Sequence, residues 1–268
     1  MRSMTLSEFC DYHRPALEAE EAKHNLMLFI LAKAIDSKKP KLLTWSLGEP
    51  GACAIKMPDG AIVLGDLSEA QCHALAEETQ DLRYIAVLGP DATAKWFVAR
   101  AEALGLVFQP PMPQRILTLR RRPCYPDVQG QARDVGPEDA ELLADWLTAF
   151  DREAIPEDPP RPRKRLLALA GNGDYLFWMV DGEPVSLAGI VRRTRRIGAI
   201  AAVYTPPECR GRGYAGAATA AIVERVFAEG RDTACLYVDL RNPAPNRTYA
   251  KVGFEPLCES WFFARKLD

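Results

Sequence analysis

The chain has 268 residues, which favours two domains at the usual size of about 100–200 residues each. Hydrophobic residues make up 48% and charged residues 26%, enough apolar material for two cores. The charge is balanced, with 15 basic against 15 acidic residues in 1–125 and 19 against 21 in 126–268; a protein tracking a nucleic-acid backbone carries a basic excess, so nucleic acid is excluded as the main partner. The longest apolar stretches, 26–35 and 197–204, are too short to span a bilayer, and Arg2 followed by Glu8 and Asp11 is not a signal peptide. Seven scattered cysteines without a CxxC pair give neither a disulfide framework nor a zinc site. These features predict a cytoplasmic protein with reduced thiols, no bound metal and no membrane partner.

In chain order, the first helix signal covers 14–34, with Pro15 suited to a first turn. Strands are predicted at 41–47, 52–57 and 61–64, separated by Gly-Glu-Pro-Gly and Pro-Asp-Gly turns. A helix capped by Ser68 runs to about Thr79. A strand at 84–88, a helix at 92–104 stopped by Gly105, and a strand at 115–119 complete the first half. Residues 121–127, with two prolines in four positions, read as a linker, dividing a domain at 1–122 from one at 131–268.

The second half restarts with a strand at 132–135 and a helix at 138–150, then a proline-rich basic loop at 154–165. Strands follow at 175–180, 184–192 and 197–204, then a helix at 213–229, a strand at 234–240, a short helix at 245–252 and a last strand at 261–265. This order predicts a mixed α/β sheet with helices on its faces. Both halves end strand, helix, strand, helix, a Gly stop and a last strand, which suggests a duplicated fold.

The chemistry concentrates at Val203–Ala215. An apolar strand ends at Tyr204 and a helix begins near Gly213, joined by a loop whose Gly211 and Gly213 tolerate unusual backbone angles. Such a loop exposes N–H groups at the positive end of a helix dipole, Arg210 and Arg212 add charge, and the ligand that suits it is a pyrophosphate. No GxxxxGK[ST] string is present. Downstream lie Asn242, then Tyr249 seven positions on, and Gly253-Phe254.

The Arg-x-x-Gly-x-Ala string (Arg210, Gly213, Ala215) and the Asn242–Tyr249–Gly253-Phe254 spacing resemble the GCN5-related N-acetyltransferase (GNAT) family over roughly 134–265. The resemblance implies a GNAT-like acyl-CoA N-acyltransferase fold, in tandem, whose N-terminal copy is degenerate. It also implies acetyl-CoA as co-substrate. Two parallel strands, ending at Tyr204 and Leu240, would splay to admit the pantetheine. Val203 and Thr205 flank Tyr204 and would pair with the pantetheine through backbone groups. Amides from Gly211 through Arg212, Gly213 and Tyr214 to Ala215 would hold the pyrophosphate, and a backbone N–H near Val203 would polarise the thioester carbonyl. Tyr249 matches the general acid that protonates the thiolate; Asn242 either contacts the ligand or caps its helix.

The implied activity is direct transfer of an acetyl group to a primary amine of a small molecule or peptide, by a monomer or homodimer. This chain departs from the family pattern in having no acidic residue in 197–204, where many members place a general base. Glu208 and Glu153 are left as water-mediated bases or plain surface carboxylates. Cys209 has no base partner, Arg192–Arg196 reads as a solvated turn, and 161–165 reads as a surface loop or a contact for an anionic acceptor. In the first half, Gly65-Asp66-Leu67-Ser68 puts an acid where a phosphate needs positive charge. Two other classes stay open. One is a non-catalytic acyl-CoA-binding sensor, and the other an aminoacyl-tRNA-dependent peptidyltransferase, a class that also pairs domains of this fold.

Overall fold

The computed structural model describes residues 4–37, 42–57, 60–154 and 161–267. The chain divides into two compact units. One holds Met1–Ile116, Tyr237–Arg241 and Pro256–Asp268, and the other Leu117–Leu236 and Asn242–Glu255.

The first unit opens with α1 (Leu6–Ala19) and α2 (Asn25–Asp36) where the sequence predicts one helix over 14–34. A reciprocal cap starts α1 early: Glu8 N–H donates to Thr5 Oγ1, and Thr5 N–H donates to the Glu8 carboxylate. Pro15 therefore lies inside the helix and not in its first turn. The break has a polar cause. His24 bonds Asp66 at 3.0 Å, and Asn25 donates to Ala22 O at 2.6 Å and to Tyr237 Oη at 2.9 Å. Both side chains are buried and need partners that an unbroken apolar helix face does not offer.

Next come β1 (Leu43–Ser46), β2 (Cys53–Lys56) and β3 (Ile62–Leu64), an antiparallel meander. Lys41 of the first predicted strand, and Pro58 and Asp59 of the predicted turn, lie outside the described residues. Alternation at period two sends Cys53, Ile55 and Val63 to the α1–α2 side and Ala54, Ile62 and Leu64 to the other. That other side is covered by α3 (Glu69–Thr79), capped by Ser68 as expected and by a returning bond from Gln71, and by α4 (Asp91–Ala103). Between these helices runs β4 (Ala86–Pro90), parallel to β3. The stretch closes with β5 (Met112–Leu119), which starts earlier than predicted.

The second unit contains β6 (Gln131–Asp134), α5 (Ala140–Ala154) and α6 (Arg163–Leu167). Of the loop predicted at 154–165, residues 155–160 lie outside the described residues, and α6 begins inside its end. Then follow β7 (Tyr175–Val180), β8 (Glu183–Arg193), β9 (Ile197–Tyr204), α7 (Tyr214–Ala228), β10 (Thr233–Asp239) and α8 (Pro243–Val252). The strands run β6-β7-β8-β9-β10, antiparallel as far as β9, with β9 and β10 parallel. The last strand, β11 (Glu255–Ala264), is twice as long as the predicted 261–265. It pairs antiparallel with β4, so the chain ends in the first unit.

The series β1-β2-β3-α3-β4-α4-β5 thus repeats the order of β7-β8-β9-α7-β10-α8-β11, with the same antiparallel, antiparallel, parallel pairing in each meander. No helix among the described residues is long and apolar enough to cross a membrane.

The first unit carries a buried proton-sensitive contact. His13 Nδ1 accepts the Gly51 N–H at 3.0 Å, so Nε2 carries the hydrogen and donates to Ser46 Oγ at 2.9 Å. Burial holds the ring below its ordinary value. Folding therefore excludes a proton that the unfolded chain binds, and stability present above about pH 6.5 falls as pH drops below it. We expect urea midpoints measured at about pH 7.5 and 5.5 to show this loss in the wild type. His13→Gln, less stable at neutral pH, should show a smaller loss; an equal loss in both would assign the acid sensitivity elsewhere.

Candidate functional site

The path of β9 makes the site. Ala202 lies at φ +54°, where a non-glycine residue costs about 1–2 kcal/mol. Its pairing with β8 steps from Gly189↔Ala201 to Leu187↔Tyr204, two residues on β8 against three on β9, which is a bulge. The parallel pairing with β10 covers Ile197–Ile200 against Thr233–Leu236 and stops before the kink. Beyond the kink, Ser186 Oγ donates to Tyr204 O at 3.1 Å and lies 2.9 Å from Thr205 Oγ1. The Tyr204 ring is buried with Trp146, centroids 5.9 Å apart, in a core with Leu143, Leu147 and Phe177. Through this ring Tyr204 anchors the end of its strand in the core.

After a short turn at Pro207–Cys209 comes the glycine loop. Arg210 Nε donates to Thr205 O at 2.9 Å, and its Nη2 reaches both Glu153 carboxylate oxygens, at 2.9 and 2.8 Å. The charge expected of Arg210 is thus matched by Glu153, and Glu153 is not a free carboxylate. Arg212 is exposed and has no ion-pair partner among the described residues. Gly211 and Gly213 sit at φ +77° and +86°, and Gly213 is the N-cap of α7. The first-turn N–H groups, those of Tyr214, Ala215 and Gly216, have no acceptor within the helix and share the positive end of its dipole. From Gly216 to Val223 the helix is buried, between a half-buried start at Tyr214 and Ala215 and a more exposed end from Glu224 onward.

The two glycines differ in surroundings. A Cβ on Gly211 would meet nothing within 4 Å; one on Gly213 would stand 2.8 Å from Val128 Cγ1. Pro126 packs at 3.5 Å from the corresponding point on Gly216. The segment read as a linker is therefore packed along α7. Tyr125 Oη donates to Glu224 at 2.8 Å, Cys124 N–H donates to Val252 O at 2.8 Å, and Trp178 Nε1 donates to Gln129 O at 3.1 Å. Pyrophosphate suits this loop: a Cβ on Gly211 would meet nothing within 4 Å, and the exposed Arg212 stands beside it.

Asn242 is exposed just ahead of α8, and its carbonyl accepts from Asn246 Nδ2 at 2.7 Å. Thr248 on α8 comes within 3.8 Å of a would-be Cβ on Gly216, so α8 lies against the first turn of α7. Its neighbour Tyr249 is half-buried, edge-on to Phe254 with centroids 6.0 Å apart. Burial pushes the Tyr249 phenol up to about 12, and no hydrogen bond to its hydroxyl occurs among the described residues.

The remaining candidates have ordinary settings. Cys209 is half-buried. Arg161 forks onto Asp151 at 2.7 and 2.8 Å. Arg193 bonds both Glu229 and Asp174. Phe177 is in the second unit's core, and Phe263, with Trp261 packed against it, is in the first unit's.

The first unit differs at the corresponding place. Gly89 on β4 has no side chain, and a Cβ there would be 2.8 Å from Leu64 Cβ, so the two strands stay close at this point. Asp66 stands where the loop would need positive charge. Burial alone would raise its pKa, but His24 and Lys23 hold it down to about 2.

Sequence reasoning missed Ala202, Ser186 and Val128. We expect Gly211→Ala to cost about 1–2 kcal/mol for its backbone angle alone. Gly213→Ala should cost about 1–3 kcal/mol more through Val128, and Val128→Ala should recover part of that excess. Denaturant unfolding checks this, and equal costs at the two glycines would remove Val128 from the account.

Residues 140–254 match the model of the acetyltransferase (GNAT) family. No curated protein matches the chain. Among solved structures, a Drosophila protein is similar at a TM-score of 0.70 and 14% identity, over 98% of this chain and 97% of that one. An acetyltransferase of the GNAT family from Colwellia psychrerythraea is similar at 0.59 and 12%, over 99% of both chains. A GCN5-related N-acetyltransferase from Kribbella flavida is similar at 0.60 and 17%, over 93% of this chain and 96% of that one. At these identities the likeness is one of fold, and it extends over both halves. The chain has the mixed α/β GNAT fold along nearly its whole length, and residues 140–254 are a domain of the acetyltransferase (GNAT) family.

Proposed function

We propose that the chain is an acetyl-CoA-dependent N-acetyltransferase acting on a primary amine of a small molecule or peptide, through the second unit. The observation that carries this reading is the kink at Ala202, beyond the end of the β9–β10 pairing, on the strand that leads through the Pro207–Cys209 turn to the Gly211–Gly213 loop. A central strand offers its backbone to a ligand only where its ladder is interrupted. Acetyl-CoA supplies the acetyl group as a thioester whose leaving group is a thiolate.

The rest is the work of this chain's residues. Backbone groups of Val203 and Thr205 align the pantetheine arm, while amides from Gly211 to Ala215, with Arg212 beside them, hold the pyrophosphate. The Val203 N–H faces the carbonyl oxygen where negative charge develops. Tyr249 Oη holds the proton for the thiolate; a phenol raised to about 12 is protonated across the working range and has no internal acceptor competing for its hydrogen. The acceptor amine must lose a proton. Glu208, exposed and without an ion pair among the described residues, takes that proton, whereas Glu153 would first have to release Arg210. Asn242 borders the site at the head of α8. The first unit, whose corresponding loop carries Asp66 in place of a basic residue, keeps a supporting role.

The test is release of free CoA thiol from acetyl-CoA over a panel of primary amines. Tyr249→Phe should keep acetyl-CoA affinity within about twofold and lower kcat by 10²–10⁴, roughly the range for a lost general acid. The wild-type rate should show no falling limb from this tyrosine below about pH 10. Saturable binding without turnover on any amine would favour a sensor, and full activity in Tyr249→Phe would remove the tyrosine from the chemistry.

A further inference from the structure

We propose that Ser186, a fully buried residue of β8, is a positioning residue for the acyl-donor site, holding the kinked end of β9 in the form that presents Val203 and Thr205. This rests on the acetyl-CoA reading above. The β8–β9 register ends at Leu187↔Tyr204, and the next pair in line would be Ser186 with Thr205. There the backbone ladder gives way to side chains. Ser186 Oγ donates to Tyr204 O at 3.1 Å, and with that hydrogen committed it accepts from Thr205 Oγ1, 2.9 Å away. On the other side, Arg210 Nε takes Thr205 O at 2.9 Å. The residues joining the kink to the cofactor loop are therefore tied by two side chains, one buried in β8 and one from the loop.

A serine is a costly choice at a fully buried strand position unless its hydroxyl is used, because an unbonded hydroxyl in the core is penalised. Here both of its hydrogen-bonding directions are used, and both point at residues beyond the bulge. Ala202 in the left-handed region would relax toward a regular strand if nothing beyond it were fixed. A relaxed β9 would continue its ladder and turn the backbone of 203–205 away from the arm it is meant to pair.

The experiment is calorimetric titration of acetyl-CoA into wild type, Ser186→Ala, Ser186→Thr and Thr205→Val, at a temperature where circular dichroism shows each variant folded. Ser186→Ala should weaken acetyl-CoA binding about tenfold, the scale of one or two lost hydrogen bonds. Ser186→Thr, which restores the hydroxyl, should recover affinity to within about threefold even if its extra methyl lowers the melting temperature. Thr205→Val acts from a half-exposed position and should weaken binding in the same direction, so the proposal stays open to test if Ser186→Ala fails to fold.

A purely structural serine would lower the melting temperature and leave the affinity of the folded variants unchanged, and that result overturns the proposal. Equal weakening in Ser186→Ala and Ser186→Thr overturns it too. Wild type that does not bind acetyl-CoA overturns the acetyl-CoA reading itself, with this inference after it.

Discussion

A strand in the middle of a sheet has its N–H and C=O groups occupied by its neighbours, so a ligand can pair with it only where the ladder stops. In this chain the interruption is at Ala202. The residue adopts φ +54°, the β8 register skips, and the parallel pairing with β10 ends at Ile200. Everything proposed for the site follows from that departure. The freed backbone leads into two left-handed glycines, these open the first turn of α7, and α8 lies against that turn with Tyr249 on it. Strain of this kind persists only where surrounding contacts fix it; here they are Ser186 beneath, Arg210 across the loop and the buried Tyr204 ring.

The two units share an order of elements and differ at this one place. In the first unit β3 and β4 stay close where Gly89 faces Leu64. The following loop carries its own anion, Asp66, answered by Lys23 and His24. In the second unit the β9–β10 pairing ends at Ile200, before the kink, and the following loop carries the exposed Arg212.

Much of this was legible because it is written in residues with strong local rules. Glycines at 211 and 213 mark the loop, Ser68 caps α3, and the apolar runs 175–180, 184–192 and 197–204 give the meander. The family string at Arg210–Ala215 and the Asn242–Tyr249 spacing stand out for the same reason. What stayed hidden depends on distant partners. Ala202 looks like any member of an apolar strand, and Ser186 like any small strand residue; their roles exist only in the skipped register. The break before α2 comes from His24 and Asn25 finding Asp66 and Tyr237. The prolines at 123 and 126 suggested a linker, yet Pro126 and Val128 pack on glycines whose missing side chains make room for them. The end of the chain joins β4, a pairing no local pattern announces.

The most direct measurement is calorimetric titration of acetyl-CoA into the wild type and into Ala215→Glu. Ala215 lies in the open first turn of α7, where an acidic side chain suits the helix dipole and keeps the fold, whereas a side chain at Gly213 would meet Val128. The account predicts single-site saturable binding to the wild type and its loss in Ala215→Glu at unchanged stability, since the new carboxylate repels the pyrophosphate. Absence of wild-type binding at millimolar acetyl-CoA, or undiminished binding to a folded Ala215→Glu, would contradict it.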